Sequence, residues 1–158
     1  MRLFKRRRIK GKTDYRKRLI LLKGDSLRLV VRKSNRYILL QIIESKQARD
    51  SVRATFTTKE LLSYGWPENK AGSLKSLGAA YLAGFALGKK LSGTIKSRVI
   101  LDSGLTPHTK GSRLYATVKG FSDAGIEISF SETVVPPKEK IEKEDFFKNV
   151  KWALEKEK

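Results

Sequence analysis

Three residues of the types that acyl-transfer enzymes use lie close together past the middle of the chain. Asp102 and Ser103 are adjacent, and His108 is the single histidine among 158 residues. Members of a catalytic triad are rarely such close sequence neighbours, and the Gly-x-Ser-x-Gly turn that exposes a nucleophilic serine is absent. We therefore expect His108 to contact phosphate or base, or to lie in solvent, rather than to act as a catalytic base.

Gly11-Lys12-Thr13 resembles the end of a phosphate-binding loop. That motif needs another glycine five residues before Gly11, where this chain has Arg6, and a buried strand in front of it. An arginine cluster precedes the tripeptide instead. With no cysteine and one histidine, the sequence also argues against a cysteine- or histidine-based metal site. We predict no catalytic residue, metal or cofactor.

The strongest chemical signal is the charge of the first 36 residues. They hold fifteen lysines and arginines against two acids, which supplies +13 of the net charge of +19. A solvated protein surface normally mixes both signs, so a surface of this kind requires a polyanion. Because lysine and arginine release condensed counterions from phosphates, the sequence predicts nucleic-acid binding.

An anionic membrane is the competing polyanion. A membrane-binding segment pairs its charges with an apolar face, and only Leu3 and Phe4 offer one here. The chain has no apolar run of eighteen residues, and no apolar region follows the N-terminal arginines as it does in a signal peptide. We expect no membrane contact, and the lack of cysteine fits a reducing, cytoplasmic compartment.

The elements that must position these charges begin after a basic arm. The first twelve residues have no apolar period and are predicted to be extended. Thr13 is predicted to cap a helix that ends at Gly24. Tyr15, Leu19 and Leu22 recur at helical spacing and are predicted to form its apolar side.

Three strands are predicted next, in an antiparallel meander. Arg28 and Arg32 give the first strand a basic face, and the second strand is apolar on both faces and therefore central. The predicted strands are residues 27–32, 37–43 and 52–57, with a turn at Ser34-Asn35-Arg36. Thr57 and Glu60 then have the spacing of a capping box for a short helix.

A helix, a strand and a second helix complete the predicted body. Residues 68–75 are predicted to be a polar loop, and the helix of residues 76–91 is rich in small residues that would let it approach the sheet closely. Val99-Ile100-Leu101 is predicted to be a buried parallel strand. Residues 126–130 are predicted to be a last extended segment after the second helix.

The residues that follow Pro136-Pro137 are predicted to form a helical tail. Phe146, Phe147, Val150 and Leu154 make an apolar stripe on a late helix. Aromatic side chains of this size are seldom left in water, so we expect the stripe to pack on this protein or on a neighbour.

The predicted fold class is α/β, with the element order of ribonuclease-H-like proteins: three antiparallel strands, then helix-strand-helix. Enzymes of that fold bind two metal ions through several carboxylates, one of them on the first strand. The first strand has Arg28 and Arg32 where that acid would lie, and Asp102 is the only acid near the core strands. A metal-dependent nuclease and a non-ribosomal RNA-binding chaperone are the alternatives to a structural RNA-binding protein.

Several groups of residues occur in the order typical of one known family. They are Arg6-Arg7-Arg8; Gly11-Lys12-Thr13-Asp14-Tyr15 with Arg18; the run from Arg28 to Asn35; Ala79-Ala80-Tyr81-Leu82 with Gly84; Leu101-Asp102; Gly104-Leu105; Thr109; Gly111-Ser112-Arg113; Ala116; Lys119-Gly120; and Asp123-Ala124-Gly125. Over about residues 4–132 the chain resembles the archaeal and eukaryotic large-subunit ribosomal proteins that bind 5S rRNA. His108 and Ser129 depart from this pattern, because the family more often has proline there.

The resemblance implies a ribonuclease-H-like body without catalysis, in a structural constituent of the cytoplasmic ribosome. It implies binding to 5S rRNA and its attachment to the central protuberance, beside large-subunit rRNA and neighbouring ribosomal proteins. With the pattern along the chain, it predicts three parts: a basic RNA-binding arm (residues 1–12), one α/β rRNA-binding domain (13–135) and a helical tail (136–158).

Carried over position by position, the residues expected to contact RNA form three groups. They are Arg6, Arg7, Arg8, Lys10, Lys12, Thr13, Tyr15, Arg16 and Arg18 in the arm and first helix; Arg28, Arg32, Ser34, Asn35 and Arg36 in the first hairpin; and Thr109, Lys110, Ser112 and Arg113 in the loop before the last helix of the body.

Overall fold

The computed structural model describes residues 5–46, 49–95 and 97–156 and has a four-stranded mixed sheet in the order β3-β2-β1-β4. Leu3 and Phe4, with the rest of residues 1–4 of the predicted arm, lie outside the described residues. The strands are β1 (Arg28–Lys33), β2 (Ile38–Lys46), β3 (Arg49–Thr57) and β4 (Ile100–Asp102). The helices are α1 (Arg6–Ile9), α2 (Tyr15–Lys23), α3 (Leu77–Leu91), α4 (Arg113–Asp123), α5 (Lys138–Ile141) and α6 (Phe147–Lys156), with 3-10 helices at Thr58–Tyr64, Glu68–Ser73 and Glu132–Val134.

The first three strands form the predicted antiparallel meander, and β4 adds to β1 in parallel. β2 is an interior strand, as its apolar sequence predicted. Its burial alternates, however: Ile38, Leu40 and Ile42 are buried on the core face, and the residues between them are only half-buried. β2 is therefore central, as predicted, but only one of its two apolar faces is fully buried.

Two glycines of α3, Gly84 and Gly88, pack closely against α4. A Cβ atom built on Gly84 would lie 2.1 Å from the carbonyl oxygen of Thr117, and one on Gly120 would lie 2.1 Å from the carbonyl oxygen of Tyr81. Because neither glycine has a side chain, the backbones of α3 and α4 come into direct contact. The predicted bounds of α3 are confirmed, with Ser76 as the N-cap. The helix contacts β2 and β3, as predicted, and packs most extensively against α4.

The N-terminal region differs from its predicted conformation in three ways. Residues of the arm form the single helical turn α1 instead of an extended chain. The N-cap of α2 is Asp14, not Thr13, because its carboxylate accepts hydrogen bonds from the backbone N–H groups of Arg16 and Lys17. Leu19, predicted on the apolar side, is 56% exposed. The predicted end at Gly24 is confirmed.

Two predicted irregular or extended segments have different structures. The predicted polar loop of residues 68–75 contains the 3-10 helix Glu68–Ser73. The predicted last extended segment makes one parallel bridge, between Val99 and Ile128, and no longer strand. The capping box at Thr57 and Glu60 is confirmed, and its helix is of the 3-10 type. Within the described ranges, no helix has both the length and the apolarity needed to cross a membrane.

The tail packs on the body of this chain. Phe147, Val150 and Leu154 are buried, and the ring of Phe146 meets the ring of Trp66 edge-on at a centroid distance of 4.7 Å. The Phe147 ring lies 5.7 Å from the ring of Tyr81 on α3. The predicted apolar stripe therefore covers the outer side of α3.

Candidate nucleic-acid interface

One face of α2 lines a basic cleft against the sheet. Asp14, Lys17, Arg18 and Leu21 line it, and their spacing of three, four and seven residues places them on one side of a helix. Because Asp14 caps the helix, its carboxylate is already occupied by two backbone N–H groups. The positively charged side chains therefore dominate this face of α2.

The cleft has a volume of about 520 Å³ and is lined by cations from separate parts of the chain. β1 contributes its C-terminal end, and the loop after β4 forms the opposite wall. Its lining residues are Arg7, Lys12, Thr13, Asp14, Lys17, Arg18, Leu21, Arg32, Lys33, Asp102, Ser103, Gly104, Leu105, Thr106 and Pro107. Of the residues predicted to bind RNA, the cleft brings together Arg7, Lys12, Thr13, Arg18 and Arg32.

The turn α1 is joined to the cleft by its second arginine. Arg7 Nε donates a hydrogen bond of 2.9 Å to Thr13 Oγ1, so the arm folds back on the segment that leads into α2. Gly11 lies between them with φ +60°, a conformation that glycine adopts at little cost. In residues 5–10 the helical turn α1, and not a strand, precedes Gly11-Lys12-Thr13, so the tripeptide lacks the setting of a nucleotide-binding loop.

Arg28 is buried, contrary to the prediction that it lies on an exposed basic face of the first strand. It is 1% exposed, and its guanidinium donates to Asp102 Oδ2 at 3.1 Å, to Asp50 Oδ1 at 2.8 Å and to Ser45 Oγ at 2.6 Å. Because its acceptors lie on β2, β3 and β4, Arg28 links all four strands of the sheet, and it does not line the cleft. This position must be corrected from an RNA contact to a structural one.

The same two carboxylates, Asp50 and Asp102, also contact two arginines of the cleft. Asp50 accepts a hydrogen bond from Arg18 Nη2 at 2.8 Å, and Asp102 lies 3.7 Å from Arg32 Nη2. Burial opposes ionisation of Asp50, but hydrogen bonds from Ser45 and Arg18 and the charges of Arg28 and Arg18 lower its pKa below the usual value. Each acid is thus shared between Arg28 in the core and one arginine at the cleft.

Ser103 and His108 do form a hydrogen-bonded pair, although the rest of a catalytic triad is missing. His108 Nε2 lies 2.9 Å from Ser103 Oγ, and its Nδ1 lies 3.0 Å from the hydroxyl of Tyr115, where a triad would have a carboxylate. Asp102 is turned toward Arg28 and Arg32. Ser103 is 1% exposed, so its hydroxyl cannot reach a substrate.

A second cleft, of about 450 Å³, lies beside the first. The predicted loop residues Thr109, Lys110, Ser112 and Arg113 all line it, together with apolar side chains of β1, β2, α3 and α4. Three residues, Lys33, Thr106 and Pro107, line both clefts, so the two form neighbouring depressions. The Ser112 hydroxyl, at the N-cap of α4, is buried and has no hydrogen-bond partner among the described residues.

The remaining predicted contacts lie outside both clefts. Ser34, Asn35 and Arg36 form the exposed turn between β1 and β2, where Ser34 Oγ donates to the carbonyl of Tyr37 and accepts from two backbone N–H groups. Arg6, Arg8, Lys10 and Arg16 are exposed on α1, in the segment after it and on α2, and Tyr15 is half-buried beneath Lys5, whose Nζ lies 4.8 Å from the ring centroid.

Sequence reasoning missed several cleft residues. Lys17, Lys33 and the loop from Ser103 to Pro107 line the first cleft but were not among the predicted contacts. Lys17 could have been found from the helical period, since it shares a face with Asp14, Arg18 and Leu21. The loop could not, because only the parallel pairing of β4 with β1 brings it to this edge.

The described part of the chain holds no cluster of three or more residues of the metal-ligating types His, Cys, Asp and Glu. The expectation that Asp102 is the only acid near the core strands is wrong, because Asp50 on β3 also bonds to Arg28. Asp102 itself pairs with Arg28 and Arg32. A carboxylate neutralised in this way is a poor ligand for a divalent ion. The arrangement of cations around the cleft can bind anions.

Comparison with known sequences agrees with these features. The model of a family described as "Ribosomal large subunit proteins 60S L5, and 50S L18" matches residues 1–97. The chain is 47% identical over 136 residues to large ribosomal subunit protein uL18 of Korarchaeum cryptofilum, covering 86% of this chain and 68% of that protein. It is 38% identical to the uL18 protein of Methanoculleus marisnigri, with 86% and 75% covered, and 45% identical to that of Caldivirga maquilingensis, with 86% and 64% covered. The resemblance read from the motifs is thereby confirmed, and the chain belongs to the family of large-subunit ribosomal proteins 60S L5 and 50S L18.

Proposed function

We propose that this protein is a non-enzymatic structural constituent of the large ribosomal subunit that binds 5S rRNA and helps attach it to the central protuberance. Its relatives are large ribosomal subunit proteins, which supports the ribosomal role. The observation that carries the RNA-binding proposal is the first cleft. Six cations from α1, α2, β1 and the segment between the helices line it, against two acids that already have partners in the protein.

The cleft suits the RNA backbone better than it suits a base. Arg7, Lys12 and Lys17 bring positive charge to a groove without a flat aromatic platform, and such groups bind phosphate oxygens. Sequence or shape discrimination would then come from groups whose positions the sheet fixes. Arg32 and the turn at Asn35 follow directly from β1 and meet this requirement.

The proposed contact set keeps every predicted residue except Arg28, whose guanidinium is enclosed by protein acceptors. Asp50 and Asp102, held by Arg28, fix the positions of Arg18 and Arg32. The proposed contacts are Arg6, Arg7, Arg8, Lys10, Lys12, Thr13, Tyr15, Arg16, Arg18, Arg32, Ser34, Asn35, Arg36, Thr109, Lys110, Ser112 and Arg113.

We further propose that the body has the ribonuclease-H-like arrangement. The mixed sheet, with three antiparallel strands followed by α3, β4 and α4, supports it. The division into an arm (residues 1–12), a body (13–135) and a tail (136–158) is proposed on the same basis. The tail is then a cover for α3 rather than an independent unit, since its apolar side chains are buried on the body.

A gel-shift comparison tests the proposal. Full-length protein is expected to bind 5S rRNA in preference to random RNA of equal length at about 150 mM salt, where purely electrostatic binding is weak. Equal affinity for both RNAs would contradict 5S recognition. Co-sedimentation with large subunits in a lysate separates the ribosomal role from that of a free RNA chaperone, and cleavage of RNA with Mg²⁺ that Asp102→Asn abolishes would favour the nuclease.

A further inference from the structure

Leu105 is an exposed apolar residue in a cleft that is lined by six cations. Of the large apolar side chains that are exposed in the described ranges of the chain, it is the only one that lines either cleft. Its side chain is 59% exposed. Exposed leucines are common on protein surfaces, so exposure alone does not indicate a role. The argument for Leu105 comes from the turn that carries it.

The turn that carries Leu105 is held by hydrogen bonds within its own loop. The N–H of Thr106 donates to the carbonyl oxygen of Ser103 at 3.1 Å, which closes a four-residue turn with Leu105 in its third position. The N–H of Gly104 donates to Asp102 Oδ1 at 2.9 Å. Gly104 has φ +58°, which glycine adopts at little cost in the second position of a mirror-image turn. The backbone at Leu105 is therefore fixed relative to β4.

Two cations of the cleft also hold this turn. Lys17 Nζ donates to Ser103 Oγ at 2.9 Å and to the carbonyl oxygen of Gly104 at 3.4 Å. The guanidinium of Arg32 packs against Gly104 so closely that a Cβ atom there would lie 2.8 Å from Nη1. The same Nη1 donates to the carbonyl oxygen of Asp102 at 3.3 Å. These contacts fix the position of Leu105 relative to two positive charges of the cleft.

We propose that Leu105 packs against the ribose of a nucleotide whose phosphate is bound by the cations of the cleft. The proposal rests on the RNA-binding function proposed above and adds an uncharged contact to it. In the RNA backbone each phosphate adjoins a ribose, and the C–H groups of the ribose form an apolar surface beside the charge. In an RNA helix the riboses line a wide and shallow groove that side chains can reach. A leucine held among phosphate-binding cations is placed to contact that surface.

An apolar contact differs from an ionic one in its response to salt. Each phosphate that a cation neutralises contributes about 0.7–0.9 to the slope of log affinity against log salt concentration, because counterions are released. Burial of a leucine side chain releases no counterion, so its contribution to affinity does not depend on that slope. Leu105 should therefore contribute as much at high salt as at low salt.

The test compares binding of the full-length protein to two polyanions, 5S rRNA and inorganic polyphosphate. Polyphosphate has phosphates but no ribose. Four proteins are compared by filter binding with labelled polyanion over a series of salt concentrations: wild type, Leu105→Ser, Leu105→Met and Leu62→Ser. Leu62 is the matched control, because it is an exposed leucine that lines neither cleft. Thermal unfolding of each variant verifies that it folds.

Leu105→Ser is expected to weaken binding to 5S rRNA about five- to tenfold with an unchanged salt slope, because it removes apolar contact area and no charge. Its affinity for polyphosphate is expected to stay within about twofold of wild type. Leu105→Met keeps an apolar side chain of similar volume and is expected to bind 5S rRNA within about twofold of wild type. Leu62→Ser is expected to bind both polyanions as wild type does.

Four results would overturn the contact while wild-type binding upholds the proposed function. They are wild-type affinity of Leu105→Ser for 5S rRNA, an equal loss for polyphosphate, a reduced salt slope, and a loss in Leu105→Met or Leu62→Ser as large as that in Leu105→Ser. If wild type itself does not bind 5S rRNA, the proposed function fails.

Discussion

The guanidinium of Arg28 lies 3.1 Å from the carboxylate of Asp102, in the interior of a protein whose other N-terminal cations are largely exposed. The pair joins β1 to the short parallel strand β4. Asp102 in turn lies beside Arg32 at the rim of the cleft. A structural ion pair in the core therefore also sets the position of a proposed RNA contact.

Breaking this pair should destabilise the fold. Arg28→Met removes the cation that Asp50 and the buried Asp102 share, and we expect it to lower the free energy of unfolding by about 3–5 kcal/mol. Arg53→Met is the matched control, since Arg53 pairs with Glu44 on the exposed side of the sheet and should cost at most about 1 kcal/mol. Urea unfolding measures both. Similar losses for the two variants would show that the buried network does not hold the sheet together.

Stability should fall in acid partly through Asp50. Its folded-state pKa is lowered below the unfolded value, so its contribution is fully present above about pH 4 and is lost as the pH falls through the folded-state value. Asp50→Asn lacks this contribution, and we expect the stability difference from wild type to shrink as the pH falls from about 6 to about 3. Urea midpoints at several pH values measure it. A difference independent of pH would contradict the assigned cause.

The crossing of α3 and α4 should tolerate no additional methyl group at Gly84. Its Cβ would lie 2.1 Å from backbone oxygen, which a side-chain rotation cannot relieve. We expect Gly84→Ala to destabilise by about 1–3 kcal/mol, despite a gain of about 1 kcal/mol in helix propensity. Gly93→Ala is the control, because a Cβ there meets no atom within 4 Å. Thermal unfolding that ranks the two variants equally would refute the close crossing.

The arginines of the arm should differ in their contribution to RNA affinity. Arg7 lines the cleft and bonds to Thr13, whereas Arg6 lines neither cleft. We expect Arg7→Ala to weaken binding to all RNAs alike, and to weaken it more than Arg6→Ala does.

The first hairpin should instead determine which RNA is preferred. We expect the double variant Arg32→Ala, Asn35→Ala to reduce the difference in affinity between 5S rRNA and competitor RNAs. Competition gel shifts measure both effects. A loss of preference in Arg7→Ala with unchanged preference in the hairpin variant would reverse these roles.

The sequence pattern was sufficient to predict those strands, helices and caps that are formed by interactions between residues close together in the chain. Alternation predicted the β1–β3 meander, the run of small residues predicted α3, and the spacing of Thr57 and Glu60 predicted the capping box. The excess of positive charge indicated the N-terminal half of the interface, since charge is a property of composition. The ordered motifs indicated the family, which the comparisons confirm.

Only the tertiary structure determines which cations face the cleft. Arg28 looks like its neighbour Arg32 in the sequence, but its partners Asp50 and Asp102 lie 22 and 74 residues away and enclose it. Likewise, Lys17 and His108 are 91 residues apart and meet only because β4 pairs in parallel with β1 and carries its following loop to the face of α2. The periodicity of a local segment does not predict contacts between residues so far apart in the sequence. The sequence therefore indicated a basic surface, and the fold determined which of its residues face the cleft.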